Sequence, residues 1–381
     1  MNSAAAKPAV SVVIPTHNPR HDYLARVVDA LRQQTLAKSL WELLIVDNGS
    51  REALAVASSQ SSVVSQKTNI VDLSWHANAR IVREEELGLT FARLRGFAEA
   101  KGELIVMVDD DNVLMPNYLE TAVRIAHEHQ MLGAFGGKCL PEFETKPDPW
   151  LEARGKGLGL RDRGEVPQLF PEETGGGGQE TGDRSQGAEV GGQRSAVGSR
   201  KTENCKHPTA NRQRRAVREF PDCAPIGAGM VLRSSAARAY VERLQARGER
   251  QGARGQETIT DRKGDSLASG GDNDICLTVI EEGWQVGYLP QLQLTHLIPK
   301  GRMTLDYHRR MARDSMKSFI LMLDQHGIRP WPAMAKWTVP LRVASDWWRV
   351  KPWRGPEELL RFWGHVGMYE GRAALPRGGD R

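Results

Sequence analysis

The stretch VMVDDDNVLMPN sets Asp109, Asp110 and Asp111 directly behind an apolar run. Adjacent carboxylates repel one another, and a hard divalent cation relieves that repulsion. Mg2+ and Mn2+ take oxygen ligands and keep open positions for water or phosphate oxygens. In extended chain, alternate side chains share a face, so Asp109 and Asp111 are expected on one side and Asp110 elsewhere. The competing reading is a solvated turn that caps the next helix. The apolar run before the triplet favours a metal site. No twelve-residue, oxygen-rich loop ending in Glu follows, which argues against a Ca2+ loop.

A second carboxylate pair, Asp272 and Asp274, lies in GGDNDICL behind Gly270 and Gly271. Either residue suits an N-cap. Either also suits a general base, because a sugar hydroxyl has a high pKa and must lose its proton as its oxygen forms a new bond. His296, in LTHLIP, ends a predicted strand. A lone histidine there fits either a structural role or a metal ligand.

These residues need a scaffold. VSVVIP, WELLIVD, ARIVREE, ELIVMVD and LGAFGGK read as short, buried strands. Between them, DYLARVVDALRQQ, LTFARLRGFAEAKG and PNYLETAVRIAHEH carry apolar residues at helical spacing. Gly102 reads as a helix stop and Pro116 as a first-turn residue. Strands alternating with helices predict an α/β fold: a Rossmann-like, mostly parallel sheet with helices on both faces. Ligands of such sheets sit outside the carboxyl ends of the strands. Here those ends are PTHN (Pro15 to Asn18), DNGS with Asp47, REE (Arg83 to Glu85) and DDDN, so four strands deliver polar groups to one edge.

The pattern breaks after residue 145. Residues 171–215 and 247–268 are rich in Gly, Ser, Gln and charge, too poor in apolar groups to build a core, and read as low-complexity insertions. Between them PIGAGMVLRSSAARAYVERL returns to strand then helix. After them come a helix over Ile275 to Glu282 and a strand pair around Val286 to Leu297. The predicted organisation is a first half over 8–145, a second half over 146–305 carrying both insertions, and a helical, Trp- and Arg-rich region over 306–381.

Composition sets outer bounds. The 381 residues are 40% hydrophobic and 26% charged, with a formal net charge of +5. That mild basic bias fits anionic small molecules or a membrane surface. It does not by itself argue for nucleic acid, and the basic segment RKTENCKHPTANRQRR lacks the interleaved aromatics that would. The four cysteines are scattered without a C-x-x-C pair, which disfavours a zinc site or disulfide framework. The start of the chain lacks the apolar core of a signal peptide, and no apolar run is long enough to span a bilayer. The expectation is a cytoplasmic protein. The Trp- and Arg-rich region leaves room for peripheral attachment to the inner face of the plasma membrane.

Taken together, VSVVIPTHNPR, LLIVDNGS and GLTFARLRGFAEAKGELIVMVDDDN resemble the start of the inverting family 2 glycosyltransferases of the GT-A fold. The resemblance covers roughly residues 9 to 140 and resumes at 220 to 300, where GAGMVLR, GGDNDICL and LTHLIPKGR look like the acceptor half. It is nearest to a bacterial exopolysaccharide subgroup, the hormogonium polysaccharide type. The resemblance implies that Pro15, Thr16 and Asn18 line a nucleotide pocket. Asp47 would contact the base or ribose of a nucleotide sugar, most often a UDP-sugar, and Arg93 would lie near the nucleotide. Asp109 and Asp111 would be the Asp-x-Asp pair that holds Mn2+ or Mg2+, with Asp110 on the ribose side or structural. Asp272 or Asp274 would be the base, and His296 would lie near the metal or diphosphate. The chain departs from the family at Leu94, where an asparagine is usual, and at Gly271, where a glutamate precedes the base. The acceptor motif of processive synthases is missing, which implies one sugar per encounter; the acceptor expected from the resemblance is a glycan or a lipid-linked molecule.

Two other readings compete. A sugar-phosphate nucleotidyltransferase uses carboxylate-held metal but needs a glycine-rich loop after its first strand, and PTHNPR has no glycine. A non-catalytic nucleotide-sugar-binding module would not need the two candidate bases.

Overall fold

The computed structural model describes residues 7–56, 70–154, 158–171, 216–252, 267 and 270–376. Most of the predicted insertion over 171–215, and much of that over 247–268, lies outside the described residues.

The fold is mixed α/β. Its first unit runs β1 (Val10–Thr16), α1 (His21–Arg32), β2 (Trp41–Asn48), a short pair β3 (Ala55–Val56) and β4 (Ile70–Val71), β5 (Ala79–Glu84), α2 (Leu89–Glu99), β6 (Leu104–Met107), β7 (Asn112–Leu114), α3 (Tyr118–Glu128) and β8 (Leu132–Phe143). The second unit adds α4 (Pro149–Arg154), β9 (Gln168–Phe170), β10 (Val231–Arg233), α5 (Ser234–Gly252), α6 (Gly271–Glu281) and β11 (Gln285–Ile298). Among the described residues the main sheet has nine strands in the order β5-β2-β1-β6-β10-β8-β11-β7, with β9 also on β11. Strands β5, β2, β1 and β6 are parallel, as are β8 and β11. Strand β10 runs antiparallel between β6 and β8, and β7 and β9 run antiparallel to β11.

The central strands are buried along their whole length and mostly apolar because both of their faces are covered. Val10, Val12, Ile14, Leu43, Ile45, Leu104 and Val106 pack with Leu24, Val27 and Leu31 of α1 and Leu119, Ala122 and Ile125 of α3. The intervening residues Val13, Leu44, Val46, Ile105 and Met107 pack with α2, α5 and α6 on the other face. The period of two along each strand thus divides one sequence between two cores. Truncating a fully buried side chain such as Leu31 to Ala costs about 2–5 kcal/mol.

Several expectations need correction. Helix α2 ends before Gly102, with Ala100 as its extended C-cap. Gly102 is small for another reason: a Cβ there would lie 2.5 Å from the Ser11 backbone nitrogen. The predicted strand pair around Val286 to Leu297 is one long strand, β11, irregular between Tyr288 and Gln293, where Pro290 interrupts the ladder. The aspartate triplet is not extended chain. Strand β6 ends at Met107, and the triplet forms a turn in which the Asn112 N–H donates to the Asp109 carbonyl at 3.0 Å.

The C-terminal region is helical, as expected: α7 (Leu305–Gln325), α8 (Val339–Val350) and α9 (Pro356–Ala374). Helices α7 and α9 cross closely. A Cβ on Gly367 would come within 2.1 Å of the Arg313 carbonyl oxygen, and Arg313 pairs with Glu370 at 2.5 Å. Helix α8 is tied to α9 through buried Asp346, which accepts from Tyr369 Oη at 2.6 Å and contacts His365 Nδ1 at 2.9 Å.

Candidate active site

A cleft of about 620 Å³ opens at the carboxyl ends of the central strands, where a sheet of this kind presents ligand-binding groups. Pro15 and Thr16 line it from β1, Asp109, Asp110 and Asp111 from the turn after β6, and Arg93 from α2. Asp272 lines it from α6, His296 from β11, and Arg302 from the short turn that follows.

Asn18 and Asp47 do not line the cleft; they build its loops. Asn18 has φ 48°, a left-handed conformation that asparagine tolerates. Its N–H donates to Ser50 Oγ at 2.8 Å, and its Oδ1 accepts from the Arg51 N–H at 2.9 Å. Buried Asp47 accepts from the N–H groups of Ser50 and Leu54, both at 3.1 Å, and from Arg83 Nη1 at 2.8 Å. Burial acts to raise the Asp47 pKa, but the hydrogen bonds from Ser50 and Leu54 and the Arg83 guanidinium outweigh it and hold it low. Asp47, expected to contact the donor, is instead bound by Ser50, Leu54 and Arg83 in this structure.

The triplet is electrostatically frustrated. Burial, then the charge of Asp111, holds Asp109 above the usual carboxylate range. The same two causes push Asp110 up to about 7, against the hydrogen bond it accepts from Thr16 Oγ1. Asp111 accepts from Arg302 Nη1 at 2.9 Å and lies 3.3 Å from His296 Nε2. Burial disfavours charge on Arg302, but Asp111, Asp109 and Asp110 outweigh it and raise its pKa.

These residues fit a cation of one kind. Among the described residues no three His, Cys, Asp or Glu side chains converge as a ready metal cage, so the expected set of Asp109, Asp111 and His296 is not assembled. His296 instead turns Nε2 toward Asp111 and Arg302, the latter at 3.3 Å. Carboxylates crowded into one turn still suit an ion that takes one or two protein oxygens and completes its shell with water and ligand phosphates. Asp109 and Asp111 both line the cleft.

The two candidate bases separate. Asp272 faces the cleft with its side chain 33% exposed; Oδ1 pairs with Arg93 Nη1 at 2.7 Å and Oδ2 accepts from the Gly227 N–H at 2.7 Å. Gly227 must be glycine for this, since a Cβ would stand 2.6 Å from both Arg93 Nη2 and Asp272 Oδ1. Asp274 is buried away from the cleft and is bound by Arg247 Nη1 and His326 Nε2, each at 2.7 Å. Burial pulls its pKa up, but His326 and Arg247 outweigh that and hold it low. Asp274 pins α6 to α5 and to the end of α7, so its expected role as a base does not fit its position. Leu94 packs into the core between the sheet and α2, away from the cleft.

Sequence reasoning missed Arg302 and Gly227. Arg302 lies in the quoted block LTHLIPKGR, six residues after His296, so a cation was visible there without a partner to give it meaning.

Comparison with known proteins bears on this geometry. Residues 11–176 match the model of the family described as Glycosyl transferase family 2. A glucosyl-dolichyl phosphate glucuronosyltransferase of Haloferax volcanii is 27% identical over 157 residues, 41% of this chain and 46% of that protein. Glycosyltransferase AglE of the same organism is 28% identical over 116 residues, 30% of this chain and 34% of its own. The matched segment thus spans less than half the length of either relative. A mannosyltransferase of Pyrobaculum calidifontis, solved in complex with GDP-Man and Mn2+, aligns over 95% of this chain and 74% of its own. Its identity is 14% and its TM-score 0.44, too distant a likeness to carry a residue's role. Over residues 11–176, a little under half of its length, the chain is thus similar to glycosyl transferase family 2.

Proposed function

We propose that this protein is an inverting, metal-dependent glycosyltransferase of the GT-A type that moves one sugar from a nucleoside diphosphate sugar, with UDP the first candidate, to an acceptor hydroxyl. The observation that carries this reading is the meeting of Asp272, on α6, with the Asp109–Asp111 turn, after β6, in one cleft. The two groups feel each other: the charge of Asp272 contributes to raising Asp109.

The chemistry follows from the residues. Asp272 takes the proton of the acceptor hydroxyl as its oxygen attacks the anomeric carbon. The bond from that carbon to the diphosphate oxygen breaks, the electron pair leaves with the diphosphate, and configuration inverts in a single displacement. Arg93 and the Gly227 N–H hold the carboxylate in place, because orientation governs the rate of such a step. Arg302 turns from Asp111 to the leaving diphosphate and stabilises the charge that develops there. Asp109 and Asp111 would hold Mn2+ or Mg2+, which would supply further neutralisation of the charge on the leaving group. Thr16 fixes Asp110 beside that pair, and Pro15 forms the wall below it. Asn18 and Asp47 act through the loops they hold.

The acceptor is proposed to be a glycan or lipid-linked glycan of a cell-surface polysaccharide, in line with the glucosyl-dolichyl phosphate in one relative's name. Purified protein incubated with Mn2+, a panel of nucleoside diphosphate sugars and glycan acceptors is expected to release nucleoside diphosphate. Donor binding without release would favour a binding module. Formation of pyrophosphate from a sugar phosphate and a nucleoside triphosphate would favour a nucleotidyltransferase.

A further inference from the structure

The segment between Lys336 and Arg354 does not behave like a packed helix. Trp337 is 71% exposed, Leu341 62% and Trp348 72%. Leu341 and Trp348, seven residues apart on α8, share one helical face, and Trp337 stands in the 3-10 turn that leads into the helix. Trp353, 53% exposed, extends that face after the helix and lies 5.7 Å from the Trp348 ring, centroid to centroid. Asp346 is the one residue of α8 that is buried. Isolated exposed apolar residues are ordinary, but a contiguous set of large ones marks a contact surface.

The charges identify the partner. Five cations, Lys336, Arg342, Arg349, Lys351 and Arg354, lie in this segment against a single acid, Asp346. That acid is buried and already bound by Tyr369, His365 and Arg349. A second copy of the chain meeting this face symmetrically would set five cations against five. An anionic bilayer complements it instead. Indole rings and leucine favour the headgroup boundary, and each basic side chain near an anionic surface adds attraction. Among the described residues no helix is long and apolar enough to cross a membrane, so the mode is attachment in the plane of the surface.

We infer that Trp337, Leu341, Trp348 and Trp353, together with the cations of the same segment, form a docking face for an anionic lipid bilayer. The face is mechanically joined to the cleft: α8 packs on α9, α9 on α7, and α7 carries Tyr307, which lines the cleft. The proposal stands apart from sugar transfer, because it is read without any substrate.

The test uses the full chain in co-sedimentation with vesicles of phosphatidylcholine alone and of phosphatidylcholine with phosphatidylglycerol. The wild type is expected to partition onto the anionic vesicles, less so as salt rises, and not onto the neutral ones. The double variants Trp337→Ser/Trp348→Ser and Arg342→Glu/Arg354→Glu are each expected to lose about tenfold or more in partitioning while keeping the wild-type melting temperature. The two variants alter different chemistry, so misfolding of one leaves the other to decide. Wild-type partitioning that survives both changes, or no partitioning onto anionic vesicles at all, overturns the proposal. So does a wild-type dimer in solution that the tryptophan variant dissolves, which would give the face to a second copy.

Discussion

Arg93 and Asp272 form an ion pair of 2.7 Å in the wall of the cleft, and the Gly227 N–H holds the other carboxylate oxygen. Both grips depend on the absence of a side chain at residue 227. Gly227→Ala is therefore expected to displace the carboxylate and lower kcat by about 100-fold, the cost of a misplacement near 1 Å. Steady-state kinetics read this, and unchanged kcat in a folded variant would show that the position of Asp272 is not held from residue 227.

Arg302 pairs with Asp111 in the structure and is proposed to move to the donor diphosphate. Arg302→Ala is expected to raise the donor KM and weaken product diphosphate binding by about tenfold or more, since charge-assisted hydrogen bonds to phosphate are the stronger kind. Titration of nucleoside diphosphate by calorimetry checks the binding half. Equal affinity in variant and wild type would leave Arg302 as a purely structural partner of Asp111.

Chelation is expected to abolish turnover and added Mn2+ or Mg2+ to restore it, because Asp109 and Asp111 are proposed to share one cation with the diphosphate. Asp111→Asn, tested alongside, should retain its fold and lose that restoration. Full turnover in excess chelator would mean that the cleft's own cations, Arg302 foremost, neutralise the leaving group.

The Asp274–His326–Glu281 cluster predicts a pH window for stability. His326 Nδ1 lies 2.9 Å from Glu281 Oε1, and its Nε2 lies 2.7 Å from Asp274. Burial disfavours charge on His326, but the bonds to Asp274 and Glu281 outweigh it and raise its pKa above the ordinary 6.5. A raised histidine contributes fully below its unfolded value and loses that contribution as pH rises through its folded value. Asp274, held below its ordinary 3.8, contributes above that value and loses it as pH falls through its folded pKa. The cluster is therefore strongest between 3.8 and 6.5. His326→Gln should cost about 3–5 kcal/mol there, with the difference from wild type shrinking in alkali. A melting-temperature difference that keeps growing above neutral pH would contradict this.

Much of the first half was legible because its strands are short, mostly apolar runs and α1 and α3 carry a clear apolar stripe. The strand ends PTHN and DDDN converge on the cleft for that reason. Other features were hidden by tertiary context. The face alternation assumed for Asp109 and Asp111 presumes extended chain, but the strand ends at Met107 and all three aspartates reach the cleft. Asp47 carried the right polarity for a ligand, yet whether a carboxylate faces a ligand or its own loop is decided by neighbours such as Arg83, 36 residues away. Asp272 and Asp274 were inseparable in the sequence for a similar reason. The helix expected over Ile275 to Glu282 starts at Gly271 in the structure, and two positions separated by two on a helix do not share a face, so only one of the pair looks into the cleft.

That separation also gives the sharpest experiment. Asp272→Asn and Asp274→Asn are compared for nucleoside diphosphate release with donor and acceptor, and for melting temperature. The account predicts that Asp272→Asn lowers kcat by about 100- to 10,000-fold with the melting temperature held, and that Asp274→Asn lowers the melting temperature and retains kcat where folded. The reverse split, with turnover surviving at Asp272→Asn and lost in well-folded Asp274→Asn, would contradict it.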